Sequence, residues 1–237
     1  MDIPQLVEEA EEFGVMLSAA QQAQFETYLR LLLVWNERLN LTAVRAPEAV
    51  IERHFYDSLT CAAVTGDLNG RALIDIGSGA GFPGLPLKIA FPHLQVTLVE
   101  SVAKKTSFLQ AVVAELGLTQ VQIVAERAEL LAHQPAHRAR YDWAVARAVA
   151  DMRVLAEYLL PFCRQGGLML AQKGEHAAVE VAAAAHAIHL LGGGEADLHP
   201  LALPGTTSLH YLVTAEKCAP TPEMYPRRPG MAAKRPL

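Results

Sequence analysis

The spacing of apolar residues along the chain changes character near residue 70. Before that point, apolar residues recur at helical spacing over residues 18–39, and Ser18 with Gln21 has the form of an N-terminal capping box. We therefore expect residues 1–60 to be helical. Beyond it, short apolar runs alternate with helical stretches, which is typical of βαβ units. Strands are predicted at residues 72–76, 95–100, 121–125, 143–147 and 167–172, with a late edge strand at 208–215.

The order of these elements predicts an α/β fold. The alternation of strands and helices indicates a Rossmann-like, doubly wound and mainly parallel sheet with an N-terminal helical extension. The helices of the sheet region are expected near residues 84–90, 103–116, 151–164 and 175–190. The expected segments are an N-terminal helical extension (1–60), a Rossmann-like core (61–217) and a basic, irregular C-terminal arm (218–237).

Length and composition fit a folded α/β protein, because 237 residues of which 51% are hydrophobic can bury a large core. No apolar run reaches the roughly 18 residues that a membrane span needs, and the acidic N-terminus lacks the pattern of a signal peptide. Cys61, Cys163 and Cys218 are too far apart in sequence for a zinc site and give no disulfide framework. We therefore expect a cytoplasmic protein with no membrane segment and no metal.

The net charge of −5 is unevenly distributed. Residues 1–26 contain six acidic residues and no Lys or Arg, whereas residues 214–237 carry five basic residues against Glu216 and Glu223. A negative total therefore does not exclude a local basic surface for nucleic acid. It does argue against tight, unspecific binding to bare nucleic acid. The alternative for the basic end is a frayed terminus without function.

A glycine-rich loop, DIGSGAGFPG (75–84), lies directly after a predicted strand and before a predicted helix. Glycine is expected where a ligand approaches the backbone closely, and the helix N-terminus offers free amides. The next strand ends at Glu100, a position that suits a carboxylate accepting hydrogen bonds from both ribose hydroxyls of an adenosine cofactor. Together these features indicate a nucleoside-cofactor site. A merely tight turn would not require the acid.

Two cofactors are compatible with this loop. Gly79, Gly81 and Gly84 spell the dinucleotide pattern G-x-G-x-x-G. However, Asp75 stands before the first glycine, Gly77, and an acid there suits a cationic ligand such as S-adenosylmethionine and repels a pyrophosphate. The pattern is similar to the first motif of Rossmann-like methyltransferases. Further along, Ala128 and Glu129 are expected to flank the adenine, although an acid at a helix start is also favoured by the helix dipole.

Short motifs in a fixed order extend the similarity over roughly residues 25–237. The chain resembles the glucose-inhibited division protein B family, the 16S ribosomal RNA guanine-N7 methyltransferases. GSGAGFPG and the terminal YPRRPG are particularly distinctive. The motifs are NERLNLTAV (36–44), HFYDSL (54–59), DIGSGAGFPGLPLKIAFP (75–92), LVES (98–101), KK (104–105), RAE (127–129), ARAVA (146–150), QKG (172–174) and YPRRPG (225–230).

The resemblance implies an S-adenosylmethionine-dependent class I methyltransferase of the cytoplasm. Its implied partner is 16S ribosomal RNA or the small-subunit particle, and no obligate protein partner is implied. The positions that correspond to the family's cofactor contacts are Gly77, Phe82, Ala128, Glu129 and Arg147. With the loop and strand argument above, the predicted cofactor site also includes Gly79, Gly81 and Glu100.

The residues after the fourth strand agree with a guanine N7 acceptor. N7 carries a lone pair and no proton, so alignment and electrostatics are the main requirements and no general base is needed. An adenine-N6 enzyme typically has Asp or Asn before Pro-Pro and an aromatic residue there, whereas this chain has ARAVA. A cytosine-C5 enzyme needs a Cys nucleophile, but Cys163 lies in a predicted helix and is expected to be a buried apolar residue.

Several charged and polar residues remain open to more than one role. Arg147 ends a central strand and is predicted to position cofactor or guanine, to contact RNA phosphate, or to form a structural ion pair. Asn40, His54 and Asp57 are expected either to close the helical extension over the cofactor pocket or to cap helices. The candidates for phosphate contacts are Lys104, Lys105, Lys173, Arg227 and Arg228, each also readable as a solvated surface charge.

Two other classes of function remain possible on sequence alone. One is a methyltransferase of the same fold that acts on a small molecule or a protein, which RNA-dependent methyl incorporation would distinguish. The other is a non-catalytic RNA- or nucleotide-binding module, against which the intact glycine loop and Glu100 argue.

Overall fold

The structure of the protein, a computed structural model, describes residues 1–147, 150–202 and 209–237. The helices are α1 (Ile3–Ala10), α2 (Ala19–Leu39), α3 (Pro47–Val50), α4 (Asp57–Leu59), α5 (Ala62–Thr65), α6 (Gly84–Ala90), α7 (Ala103–Glu115), α8 (Ala128–Leu131), α9 (Met152–Leu159), α10 (Ala177–Leu190) and α11 (Met231–Lys234), with a 3-10 turn at Glu11–Phe13 and a π-helix at Ile51–Tyr56. The strands are β1 (Ala72–Ile76), β2 (Gln95–Val99), β3 (Val121–Val124), β4 (Tyr141–Arg147), β5 (Cys163–Lys173), β6 (Gly193–Leu201) and β7 (His210–Lys217).

These strands form a mixed sheet in the order β3-β2-β1-β4-β5-β7-β6. The pairs β2–β3, β1–β4 and β4–β5 are parallel, whereas β7 runs antiparallel to both β5 and β6. The predicted Rossmann-like, mainly parallel fold with N-terminal helices is therefore confirmed. Within the described ranges, no helix is both long and apolar enough to cross a membrane.

The chain divides into two compact units. Unit 1 comprises residues 1–71 and 78–125. Its core contains an aromatic cluster, in which the ring of Phe55 lies 5.1 Å from the rings of both Phe25 and Tyr28. The capping box predicted at the start of α2 is present, because the Ser18 side chain accepts from the Gln21 amide and the Gln21 side chain accepts from the Ser18 amide.

Unit 2 comprises residues 72–77 and 126–237. Strands β4 and β5 form its centre, where Val145 pairs in register with Leu170 and both side chains are fully buried. Helix α10 packs against α9 and β6. Buried aliphatic side chains on both strands explain why these segments read as continuous apolar runs in the sequence.

The predicted late edge strand is a central strand of this region. Strand β7 lies between β5 and β6, and β6 forms the edge. Strand β6 is not evident from the sequence pattern, because it begins in a glycine run and contains Pro200, two features that edge strands tolerate. Ser208, the first residue of the predicted strand, lies outside the described residues.

The position predicted for Cys163 was wrong. Helix α9 ends at Leu159, and Cys163 begins β5. Pro161 explains the early end, because a proline has no backbone amide to donate and cannot continue the hydrogen bonding of the helix. The expectation that this thiol is buried is nevertheless confirmed, because Cys163 is 0% exposed.

The C-terminal segment, residues 218–237, is packed within unit 2 and is not frayed. Tyr225 and Ala232 are buried. The guanidinium of Arg138 donates to the carbonyl oxygens of Thr221, Pro222 and Tyr225 at 2.9–3.2 Å. A proline-rich backbone has few amide donors of its own, so a side-chain donor that binds its carbonyls fixes its course.

Candidate active site

The glycine loop of residues 77–84 combines left-handed backbone angles with tight packing. Gly77, Gly79 and Gly81 have φ values of 70°, 58° and 100°. A Cβ on Gly81 would lie 2.4 Å from Leu85 Cδ1 and 2.7 Å from the Tyr28 hydroxyl oxygen. Gly81 is therefore required by its packing against Leu85 of α6 and Tyr28 of α2, in addition to any close approach of a ligand.

Aromatic side chains from the N-terminal helices hold this loop within unit 1. The His54 ring stacks on Phe82 with centroids 4.7 Å apart, and the Tyr28 ring stacks on Phe82 at 5.5 Å. The Tyr28 hydroxyl donates to the Ala80 carbonyl oxygen, and His54 Nε2 lies 2.7 Å from Thr42 Oγ1. The helical extension thus fixes the side chain of Phe82, a predicted cofactor contact.

The other two polar residues of the helical motifs lie at the end of one helix and at the start of another. Asn40 ends α2 in the left-handed conformation, with φ of 48°, which is a C-cap position. Asp57 begins α4 and is buried. Of the three residues expected to close over the pocket or to cap helices, His54 contacts the loop and Asn40 caps a helix.

Glu100 connects the glycine loop to the helix that follows β2. Its Oε2 accepts from the Gly79 amide at 3.1 Å, and its Oε1 accepts from the Val102 amide at 2.8 Å. The carboxylate is buried, and Lys105 Nζ lies 3.7 Å from Oε2. The acid predicted to bind ribose therefore also orders the loop, and Lys105 partly compensates its charge.

Glu129 is the corresponding buried carboxylate of unit 2. It lies in the short helix α8, directly after Ala128, and both residues are buried. Its Oε1 accepts from the Gly230 amide at 2.8 Å and from the Tyr158 hydroxyl at 3.2 Å. Burial and the nearby Glu129 carboxylate raise the pKa of Tyr158 to about 12, so this hydroxyl stays protonated and donates.

Arg227, a predicted phosphate contact, forms an ion pair inside unit 2. Its guanidinium donates to both carboxylate oxygens of Glu157, with the shortest distance 2.6 Å, and its backbone amide donates to Oε1. Glu157 is fully buried, and these hydrogen bonds raise the pKa of Arg227 above its ordinary value. Arg228, by contrast, is exposed.

The predicted lysines differ in their surroundings. Lys104 is exposed at the start of α7. Lys173 ends β5, where its Nζ lies 2.6 Å from Glu180 Oε2 and donates to the Ala150 carbonyl oxygen. Lys173 thus fixes the chain that follows residues 148–149.

Arg147 is the last residue of β4 and is half-buried. It pairs in register with Gln172 of β5. This is the carboxyl end of a parallel strand, the edge at which α/β sheets bind ligands, as predicted. Ala148 and Val149, the next two residues of the ARAVA motif, lie outside the described residues.

The buried Cys163 thiol is unsuited to nucleophilic catalysis. Burial raises its pKa to about 12, so the thiolate is scarce at neutral pH. This agrees with a reaction that needs no cysteine nucleophile.

Four contributors to these arrangements were not predicted as site residues. Tyr28 belongs to the apolar stripe of α2, and Glu157 and Tyr158 lie in α9. Gly230 is the last residue of the YPRRPG motif. A signal existed for Glu157, an acid in an otherwise apolar helix segment, but its partner follows 70 residues later and nothing local identifies it.

Comparison with solved structures defines the class of fold. An S-adenosylmethionine-dependent O-methyltransferase from Thermotoga maritima is similar with a TM-score of 0.54 and 15% identity, covering 81% of this chain and 72% of that one. At this identity the likeness concerns the fold alone, which is Rossmann-like.

Sequence comparison gives the family. Residues 21–203 match the GidB family, rRNA small subunit methyltransferase G. A ribosomal RNA small subunit methyltransferase G of Roseiflexus castenholzii is 50% identical over 98% of this chain and 99% of its own length. One of Chloroflexus aggregans is 49% identical over 98% and 97%. The chain therefore belongs to the rRNA small subunit methyltransferase G family.

Proposed function

We propose that this chain transfers a methyl group from S-adenosylmethionine to N7 of a guanine in 16S ribosomal RNA. The observation that carries the proposal is the agreement with ribosomal RNA small subunit methyltransferase G proteins over nearly the whole chain. The choice of guanine N7 rests on the motif resemblance described above. The 16S RNA or small-subunit partner implies that the protein acts in the cytoplasm.

The described residues offer the acceptor chemistry that this cofactor requires. Glu100 and Glu129 are buried carboxylates, and a carboxylate only accepts hydrogen bonds, at about four lone-pair sites. Each carboxylate has capacity beyond the bonds described above, which suits ribose hydroxyls at Glu100 and the adenine amino group at Glu129. The proposed cofactor contacts are Gly77, Gly79, Gly81, Phe82, Glu100, Ala128, Glu129 and Arg147.

The chemistry asked of the protein side chains is modest. S-adenosylmethionine, when bound, supplies a methyl group activated by its sulfonium. Guanine N7 has a free lone pair and no proton to lose, so no side chain needs to act as a base. The residues of this chain then serve to align the reactants and to stabilise charge. Arg147, a cation at the end of β4, is the residue we assign to positioning.

The proposed RNA contacts differ in how much of their charge is already compensated. Lys104 and Arg228 are exposed and suit phosphate directly. Lys105, Lys173 and Arg227 each form an ion pair with a glutamate. We therefore propose that Lys104 and Arg228 contribute more to RNA binding than the three paired residues.

A methyl-transfer assay tests the proposed function. Purified protein with labelled S-adenosylmethionine should methylate 16S ribosomal RNA or small subunits, and the product should be 7-methylguanosine. Label that enters protein or small molecules instead would contradict the RNA substrate. Tighter binding of NAD than of S-adenosylmethionine would contradict the cofactor.

Glu100→Gln tests the cofactor site itself. The substitution turns one acceptor oxygen into a donor that faces an amide, so we expect affinity for S-adenosylmethionine to fall roughly ten- to hundredfold in calorimetry. Glu115→Gln is the matched control, because Glu115 forms an exposed ion pair with Arg30 in the same unit. Unchanged affinity in folded Glu100→Gln would remove Glu100 from the site.

A further inference from the structure

The C-terminal segment reaches Glu129 through a buried ion pair. Arg227 binds Glu157 with both its guanidinium and its backbone amide, and the Glu157 side chain is 0% exposed. A bidentate arginine–carboxylate pair fixes orientation as well as distance. Because the backbone of Arg227 is bound too, the pair determines where the next residues of the chain can lie.

Three residues later, the chain turns at Gly230 and points its amide at Glu129. Gly230 has φ of 79°, which favours glycine, and its N–H donates to Glu129 Oε1 at 2.8 Å. Tyr158, the neighbour of Glu157 in α9, donates to the same oxygen. Two donors on one oxygen fix the plane of the carboxylate and leave its second oxygen, Oε2, to meet a ligand.

We propose that the Glu157–Arg227 pair is a positioning element for purine recognition, which holds the Gly230 amide on Glu129 so that Oε2 accepts from the exocyclic amino group of the cofactor's adenine. This inference rests on the proposed function, because it needs adenine at Glu129. Arg227 is thus a positioning residue that acts through Gly230 and Glu129. It touches no reacting atom.

The ratio of the affinities for an adenine ligand and for its hypoxanthine counterpart measures this role. Hypoxanthine has an acceptor oxygen where adenine has an amino donor, so a carboxylate held in place rejects it. Binding of S-adenosylhomocysteine and of S-inosylhomocysteine, its hypoxanthine counterpart, is measured by calorimetry. The wild type is expected to favour the adenine ligand by about tenfold or more, the range of a hydrogen bond to a charged group.

Arg227→Ala is expected to lower this preference by about tenfold, whereas Lys234→Ala should keep it. Lys234 supplies the matched control, because it is an exposed cation of the same segment. In a Glu129→Gln background, Arg227→Ala should change the preference no further, because the two residues act in one chain of contacts. An unchanged preference in Arg227→Ala, or an equal loss in the Glu129→Gln background, would overturn the proposal.

A second variant covers the risk that Arg227→Ala fails to fold. Glu157→Leu combined with Arg227→Leu removes the pair without leaving a buried charge, a replacement that is often neutral for stability. It should lose the adenine preference while staying folded, and retention of the preference would contradict the proposal.

The wild type separates this inference from the proposed function. Equal binding of both ligands by a wild type that methylates ribosomal RNA would overturn the purine role alone. Failure of the wild type to bind either ligand would overturn both.

Discussion

The two buried carboxylates of the proposed cofactor site are held in different ways. Glu100 is bound by amides of its own neighbourhood, those of Gly79 and Val102, and Lys105 lies five residues away. Glu129 is bound by the amide of Gly230, 101 residues further along the chain. The first arrangement follows from a local motif, whereas the second requires the C-terminal segment to be in place.

The largest effect is expected when the contacts that hold the C-terminal segment, and through it Glu129, are broken. Arg227→Ala leaves the fully buried Glu157 without its guanidinium, which typically costs about 3–5 kcal/mol of the free energy of unfolding. Lys234→Ala should cost less than about 0.5 kcal/mol, as exposed substitutions usually do. Denaturant unfolding measures both. Similar stability of the two variants would mean that the C-terminal segment is only loosely attached.

A smaller effect on stability is expected in the glycine loop, whose Gly79 amide binds Glu100. Gly81→Ala places a Cβ against Leu85 and Tyr28 at a φ of 100°, so we expect a loss of about 2–3 kcal/mol in the free energy of unfolding. The control is Gly174→Ala, where a Cβ would meet nothing within 4 Å. If both alanine variants unfold at the same denaturant concentration, the loop is less tightly packed than its contacts indicate.

Substitutions of Arg147 test the proposed site through the rate of methyl transfer. Lysine keeps the charge but loses the planar fork of donors. If geometry dominates, Arg147→Lys and Arg147→Ala should both slow single-turnover methylation at least tenfold, about 1.4 kcal/mol of barrier. A lysine variant with the wild-type rate would show that charge alone suffices. A folded alanine variant at full rate would exclude any positioning role.

The smallest effect concerns Lys217, which anchors the start of the C-terminal segment. Its Nζ donates to the Leu191 carbonyl oxygen and contacts Thr221 Oγ1, and burial lowers its pKa to about 8 from 10.5. Between about pH 8 and 10.5, the Lys217 amine is therefore mostly protonated in the unfolded chain and mostly neutral in the folded chain. Because the unfolded chain binds more protons, stability rises with pH across that window.

Relative to Lys217→Met, the wild type should therefore gain about 1 kcal/mol of unfolding free energy between pH 8 and 9. The difference between the two proteins cancels the other titrating groups. A difference that stays constant over this range would mean that Lys217 keeps its ordinary pKa.

The same contrast between local and distant contacts explains which features the sequence could predict. Five strands, the Ser18 capping box and the place of Glu100 depend on neighbouring residues, and their patterns were sufficient. The pairing of Glu157 with Arg227 and the placement of β7 between β5 and β6 depend on contacts between distant segments. The spacing of apolar residues along the chain carries no information about such contacts.

The position of Cys163 was predicted wrongly, and the packing of the C-terminal segment was left open, for different reasons. Cys163 lies beyond Pro161, where the helix has already ended, so apolar character alone did not distinguish strand from helix. The C-terminal segment has a loop-like composition, but Arg138 and Glu157 supply the polar partners that order it.

The proposed activity is tested most directly by mapping 7-methylguanosine in 16S ribosomal RNA from cells with and without this gene. Chemical cleavage at 7-methylguanosine, read by primer extension, locates the modified base. We expect one guanine to lose its methyl group when the gene is deleted and to regain it when the wild-type gene is restored. An identical pattern of 7-methylguanosine in both strains would contradict the proposed function.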